Sequence, residues 1–148
     1  MTDADLAARV LVGTGCGVLL GIERARSHKI VGVRTLGLIG LAAALVVGSI
    51  ARSGRDSGAV SRVTQGLVTG VGVLGAGVIL RGVKHPHGLT TATAVWACCI
   101  LGVVAGMGEL LPAGVSACVM VALLALGDDI DRRIGGVADK ADKQDPAP

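Results

Sequence analysis

The chain has 148 residues and a formal net charge of +3, with 51% of its residues apolar and 17% charged. The charges are gathered into short stretches between long apolar segments, so the segments lack the polar faces that helices of a water-soluble domain require. Packing them as a buried soluble core would leave too little polar surface to cover it, and one Trp with no Phe or Tyr makes no aromatic platform along which successive nucleic-acid bases could stack.

Five apolar segments, at about 6–22, 35–51, 63–80, 89–107 and 110–127, each have roughly the 17–25 residues that an α-helix needs to cross about 30 Å of hydrocarbon. None carries a charge near its centre, where a single one costs about 2.5–3.5 kcal/mol on insertion scales. The expected fold is an all-α integral membrane protein, a bundle of five transmembrane helices spanning 1–127, followed by a short polar tail, 128–148, expected to be disordered.

The first span is preceded by Asp3 and Asp5 and has Arg9 near its start. It therefore lacks the basic leader of a cleaved signal peptide and is expected to stay as a helix. Gly13, Gly17 and Gly21 recur every four residues along it, the spacing that lets another helix approach closely. After it come Glu23, Arg24, Arg26, His28, Lys29, Arg34 and Thr35. An acid beside Arg24 and Arg34 reads as a structural ion pair, and the other cations read as topology signals and contacts for anionic lipid heads.

The second span has a similar stripe in Gly37, Gly40, Ala44 and Gly48. In the third, Gly70, Gly72 and Gly75 spell GxGxxG, the spacing that cradles a dinucleotide pyrophosphate after a strand. No Asp or Glu follows until Glu109, so the ribose partner is missing and the glycines read as a membrane helix. At 100° per residue Gly66, Gly70 and Gly77 form one stripe, and Thr69, Gly72 and Ala76 a second with Gln65 at its outer end. Small residues on two sides place this helix at the centre of the expected bundle, packed on the first two.

Arg81, Lys84, His85 and His87 follow the third span, and Thr90 and Thr91 open the fourth as expected caps. Two histidines without a third ligand are weak grounds for a metal site. The four cysteines, Cys16, Cys98, Cys99 and Cys118, fall inside spans without metal-ligand spacing and read as small apolar packing residues. Loops one and three and the tail carry more Lys and Arg than the second loop, which holds Arg52, Arg55 and Arg62. The positive-inside rule then puts the N-terminus outside and the C-terminus in the cytoplasm. Glu23, Arg24, Lys29, Arg34, Thr35, Gln65, Arg81, Thr90 and Thr91 make up the candidate functional polar rim. No catalytic set, cofactor site or metal site is expected.

Gly21-Ile-Glu-Arg24, Lys29, Gly32-Val-Arg-Thr35, the run from Gly72 to Arg81, and Gly88-Leu-Thr-Thr91 with Trp96 together resemble the membrane domain of the MgtC/SapB family. Ala25 stands where that family usually has a second glutamate and Val73 where it usually has phenylalanine, and 85–87 differs from the usual loop. The small cytoplasmic domain many members carry after the fifth span has no counterpart in 128–148. The resemblance implies a multi-pass protein of the bacterial inner membrane, linked to magnesium limitation and virulence. It implies regulation of membrane energetics through other membrane proteins, with an ATP synthase or a transport ATPase as candidate partners besides the lipid bilayer and other copies of the chain. Two alternatives stay open: a transporter or channel subunit for Mg2+ or another ion, and a membrane protein that binds an anion or a lipid headgroup at the rim. For transport, a hard divalent ion wants carboxylate oxygens, and Glu23 and Glu109 lie only at span edges.

Overall fold

The computed structural model describes residues 1–54, 57–80 and 88–142. They form five α-helices, α1 (Asp3–Arg26), α2 (Val33–Arg52), α3 (Ser57–Leu80), α4 (Leu89–Met107) and α5 (Leu110–Asp142), with no strand among the described residues. Each helix is long and apolar enough to cross a membrane. The all-helical five-span fold is the one expected.

The helix ends have local causes. Thr2 caps α1: its hydroxyl accepts from the Asp5 amide at 3.1 Å while the Asp5 carboxylate accepts from the Thr2 amide at 2.8 Å. This reciprocal box starts the helix before its apolar stretch. Gly108 (φ +102) ends α4 in the left-handed region, and the amides of Gly108 and Glu109 return to the carbonyls of Ala105 and Val104, satisfying orphan acceptors of the last turn. The backbone of α5 continues past the fifth apolar stretch as far as Asp142.

Consecutive spans alternate in direction. The α1–α2 turn and the Gly88 start of α4 therefore lie at one end of the bundle, the basic end, and Thr2, the end of α2 and the α4–α5 turn at the other. There Asp3 pairs with Arg52, and Arg9 donates from Nη1 to the Gly106 carbonyl at 2.8 Å. A cation at a helix C-terminus meets the negative end of the macrodipole, so Arg9, from within α1, holds the end of α4.

The core is α1, α2 and α4, which pack on one another most extensively. Glycines set the spacing. A Cβ on Gly13 would lie 2.6 Å from Ala44 Cβ, and one on Gly102 would lie 2.6 Å from the Gly40 carbonyl oxygen; side chains at these points would push the helices apart. Gly17 and Gly21 meet the backbone of Leu36 and Val33 in the same way. Leu20, Leu36, Leu101 and Val47 fill the remaining space, and Cys98 Sγ donates to the Leu36 carbonyl at 3.1 Å.

The third helix is not central, contrary to the expectation from its glycines. In the membrane-spanning stretches 61% of α4 is buried but only 11% of α3 and of α5, so α4 takes the central place. Positions 66, 70, 72 and 77 have open space where a Cβ would be, and of the five α3 glycines named above only Gly75 meets a neighbour, Ala92, at 3.6 Å. The reason is competition. Ala94, Cys98, Gly102 and Gly106 make an equally small stripe on α4, and that stripe meets the glycines of α2.

Candidate functional site

The basic end is built on the close of α1. Its last turn ends in a backbone motif in which the His28 amide donates to Ala25 O at 3.1 Å and the Lys29 amide to Arg24 O at 3.0 Å. His28 occupies the left-handed position with φ 53, the place usually taken by glycine. The reversal sends the chain back so that Val31 is buried in the core and Gly32 opens α2 in extended geometry.

Within that turn Glu23 and Arg24 are both buried. Neighbouring residues on a helix do not face one another, so both side chains fold over to meet. Arg24 Nε donates to Glu23 Oε2 at 2.5 Å and Nη2 to Oε1 at 3.0 Å, while Ser27 Oγ donates to Oε1 at 3.0 Å. Both carboxylate oxygens are thereby engaged. Chemically this is a charge-assisted, two-pronged pair, and breaking one partner of such a buried pair typically costs 3–5 kcal/mol.

The remaining rim residues divide. Lys29, Arg34 and Thr35 are exposed at the mouth of the bundle. Thr90 is exposed and Thr91 buried, but neither caps α4: the cap position is Gly88, with φ 131 and no side-chain cap. Glycine is favoured there because a φ of 131 is one that L side chains rarely adopt, and an added Cβ would also come within 3.3 Å of the Val78 carbonyl. Gln65 is exposed, yet it lies fifteen residues before Leu80, so about 22 Å along α3 from the basic end, and it does not belong to the rim. Arg81, Lys84, His85 and His87 lie outside the described residues. Among the described residues no group of three or more His, Cys, Asp or Glu side chains is placed to hold a metal ion.

Two grooves lie beside α3. The deeper one separates α3 from α2 over α4. Cavities of about 460 and 330 Å³ share Thr35, Ile39 and Leu74 and so form one trough, with Ile30 and Val31 at its mouth, Val95 and Cys99 on its floor, and Ala43 and Leu67 at its inner end. The second, about 320 Å³, lies between α3 and α4 and is lined largely by small residues: Gly72, Gly75, Ala76 and Ala92, with Trp96 beside them. Neither groove was read from the sequence; both follow from α3 standing off the three-helix core.

These features define a multi-pass helical membrane protein with a glycine-packed core and a polar rim. The model of the MgtC family matches residues 10–133, and the chain belongs to that family. It is 37% identical over 126 residues to Protein MgtC of Brucella abortus (strain 2308), covering 84% of this chain and 50% of that protein. To Protein SrpB of Synechococcus elongatus it is 36% identical over 116 residues, 70% of this chain and 64% of SrpB. To Protein MgtC of Salmonella typhimurium (strain LT2) it is 37% identical over 93 residues, 63% of this chain and 39% of the relative. The chain spans about half the length of the Brucella relatives it matches. No solved structure matches.

Proposed function

We propose that this chain is a non-enzymatic regulator in the bacterial inner membrane, acting on membrane energetics or ion homeostasis under magnesium limitation through contacts with other membrane proteins. The observation that carries the proposal is the α3–α4 groove. Its small lining residues let another helix backbone approach closely, the arrangement that drives helix association in lipid, and α3 is left largely uncovered by its own bundle. Membership of the MgtC family supports the link to magnesium. The engagement of Glu23 with Arg24 and Ser27 argues for regulation over cation transport, because it occupies the acid nearest the rim.

The test is site-specific photocrosslinking from position 76 in membranes of magnesium-starved cells. Adducts to a membrane protein are expected, lost in Gly72→Leu, which fills the groove, and retained in Gly114→Leu, where the added side chain also enters open space. Equal adducts in both variants would remove the groove from the mechanism. Mg2+ flux into proteoliposomes holding only this chain would replace the regulator with a transporter.

A further inference from the structure

The α2–α3 trough differs from the α3–α4 groove in depth and in wall chemistry. Its walls are mainly branched aliphatic side chains, Ile39 from α2 and Val71, Leu74 and Val78 from α3, which hold a neighbouring helix backbone at a distance but present dispersion contacts to a thin, flexible chain. Thr35 lines its mouth and Ala43 its inner end, eight residues apart on one helix, so the trough runs about 12 Å along the membrane normal. That is slightly less than half of the roughly 30 Å hydrocarbon thickness, the depth of one leaflet. The medium around a groove at this depth is lipid.

The mouth is cationic. Lys29 precedes Ile30, and Arg34 precedes Thr35, both lining residues; Lys29, Arg34 and Thr35 are exposed. The nearest acid in sequence, Glu23, is turned into its own buried knot with Arg24, so it does not oppose a negative ligand there. Basic pockets between membrane helices suit anionic lipid heads, and each nearby Lys or Arg contributes about 1 kcal/mol of attraction.

We infer that the trough holds one acyl chain of an anionic phospholipid from the leaflet at the basic end, its phosphate at Arg34 and the Thr35 hydroxyl. The lipid wedges between α2 and α3 and sets how far α3 stands from the core. This goes beyond the regulator proposal, since it concerns the face of α3 toward α2 and not the face toward α4, with Val71 at the border of the two.

The experiment is native mass spectrometry of the full chain released from nanodiscs of phosphatidylglycerol and phosphatidylcholine with identical acyl chains. Wild type is expected to retain one phosphatidylglycerol in at least fivefold preference over phosphatidylcholine. Gly77 lines the trough and has open space at its Cβ position, so Gly77→Leu fills the trough without a clash and is expected to lose the lipid. Gly66→Leu, equally open but outside the trough, is expected to keep it. Arg34→Gln should reduce the preference for phosphatidylglycerol at least threefold while an acyl chain still binds. Retention by Gly77→Leu, equal retention of both lipids by wild type, or a lipid-free dimer in place of the lipid adduct would overturn the inference. Displacement of the adduct by millimolar inorganic phosphate would overturn it too, because it would assign the site to a free anion.

Discussion

Gly17→Ala gives the sharpest test of the glycine-packed core, because local propensity and tertiary packing give it opposite signs. In a helix alanine is favoured over glycine by about 0.8–1.0 kcal/mol, so an uncrowded Gly→Ala change stabilises. At Gly17 the new methyl would lie against the Leu36 carbonyl group, with its carbon at 2.8 Å, and 3.1 Å from Cys98 Sγ. It would meet three helices' worth of packing at one point, since Cys98 also donates to that carbonyl. Relief by moving α1 alone is blocked one turn away, where Gly13 and Gly40 are in similar contact. Overpacking of this kind costs about 1–3 kcal/mol. Gly70→Ala is the matched control: it shares the propensity gain and has open space at its Cβ position, so the propensity term cancels in the difference. Gly17→Ala is expected to be less stable than Gly70→Ala by about 1–3 kcal/mol, read as the midpoint of SDS-induced unfolding in mixed micelles followed by Trp96 fluorescence. A Gly17→Ala protein as stable as Gly70→Ala would refute the packing account.

His28→Gly should stabilise the chain by about 1 kcal/mol, because His28 holds a left-handed backbone at a cost of that order; in the same unfolding assay His28→Val should fall below wild type. Glu23→Gln should lower stability by about 3 kcal/mol by removing the carboxylate charge that the buried Arg24 guanidinium faces, and adding Arg24→Met should recover part of the loss; no recovery would mean that the pair does not act as a unit. Arg9→Gln removes a charged donor from the end of α4 and should cost about 1.5–3 kcal/mol, with faster hydrogen exchange at Gly108 and Glu109 as the local readout. Trp96, 46% exposed on α4, should be quenched by brominated acyl chains in reconstituted bilayers, and its persistence unquenched would place it against protein instead.

Much of the rim was legible because it is local. A basic stretch after an apolar one marks a membrane edge whatever the helices do, so Lys29, Arg34 and Thr35 could be assigned to one end of a span from order alone. Glu23 could be read as the acid of an ion pair from the cations around it, Arg24 and Arg34, but which of them it takes and its burial could not: Arg24 pairs with it and Arg34 is exposed. Gln65, Thr90 and Thr91 show where such reading fails. The first needs the direction and height of its helix, and the capping role depends on which residue holds the cap position, which is Gly88 with φ 131 and not a threonine.

The sequence by itself determined that this is a five-span helical membrane protein, and the apolar stretch at the heart of each helix, because hydrocarbon thickness and the cost of a buried charge act on each segment separately. Only the tertiary structure decided which helices form the core. Glycine stripes on α1, α2 and α3, and a mixed Ala, Cys and Gly stripe on α4, all permit close approach. Which of them meet depends on how all the helix surfaces fit at once, and that fit puts α4 in the centre and leaves Gly66, Gly70, Gly72 and Gly77 of α3 without a close neighbour.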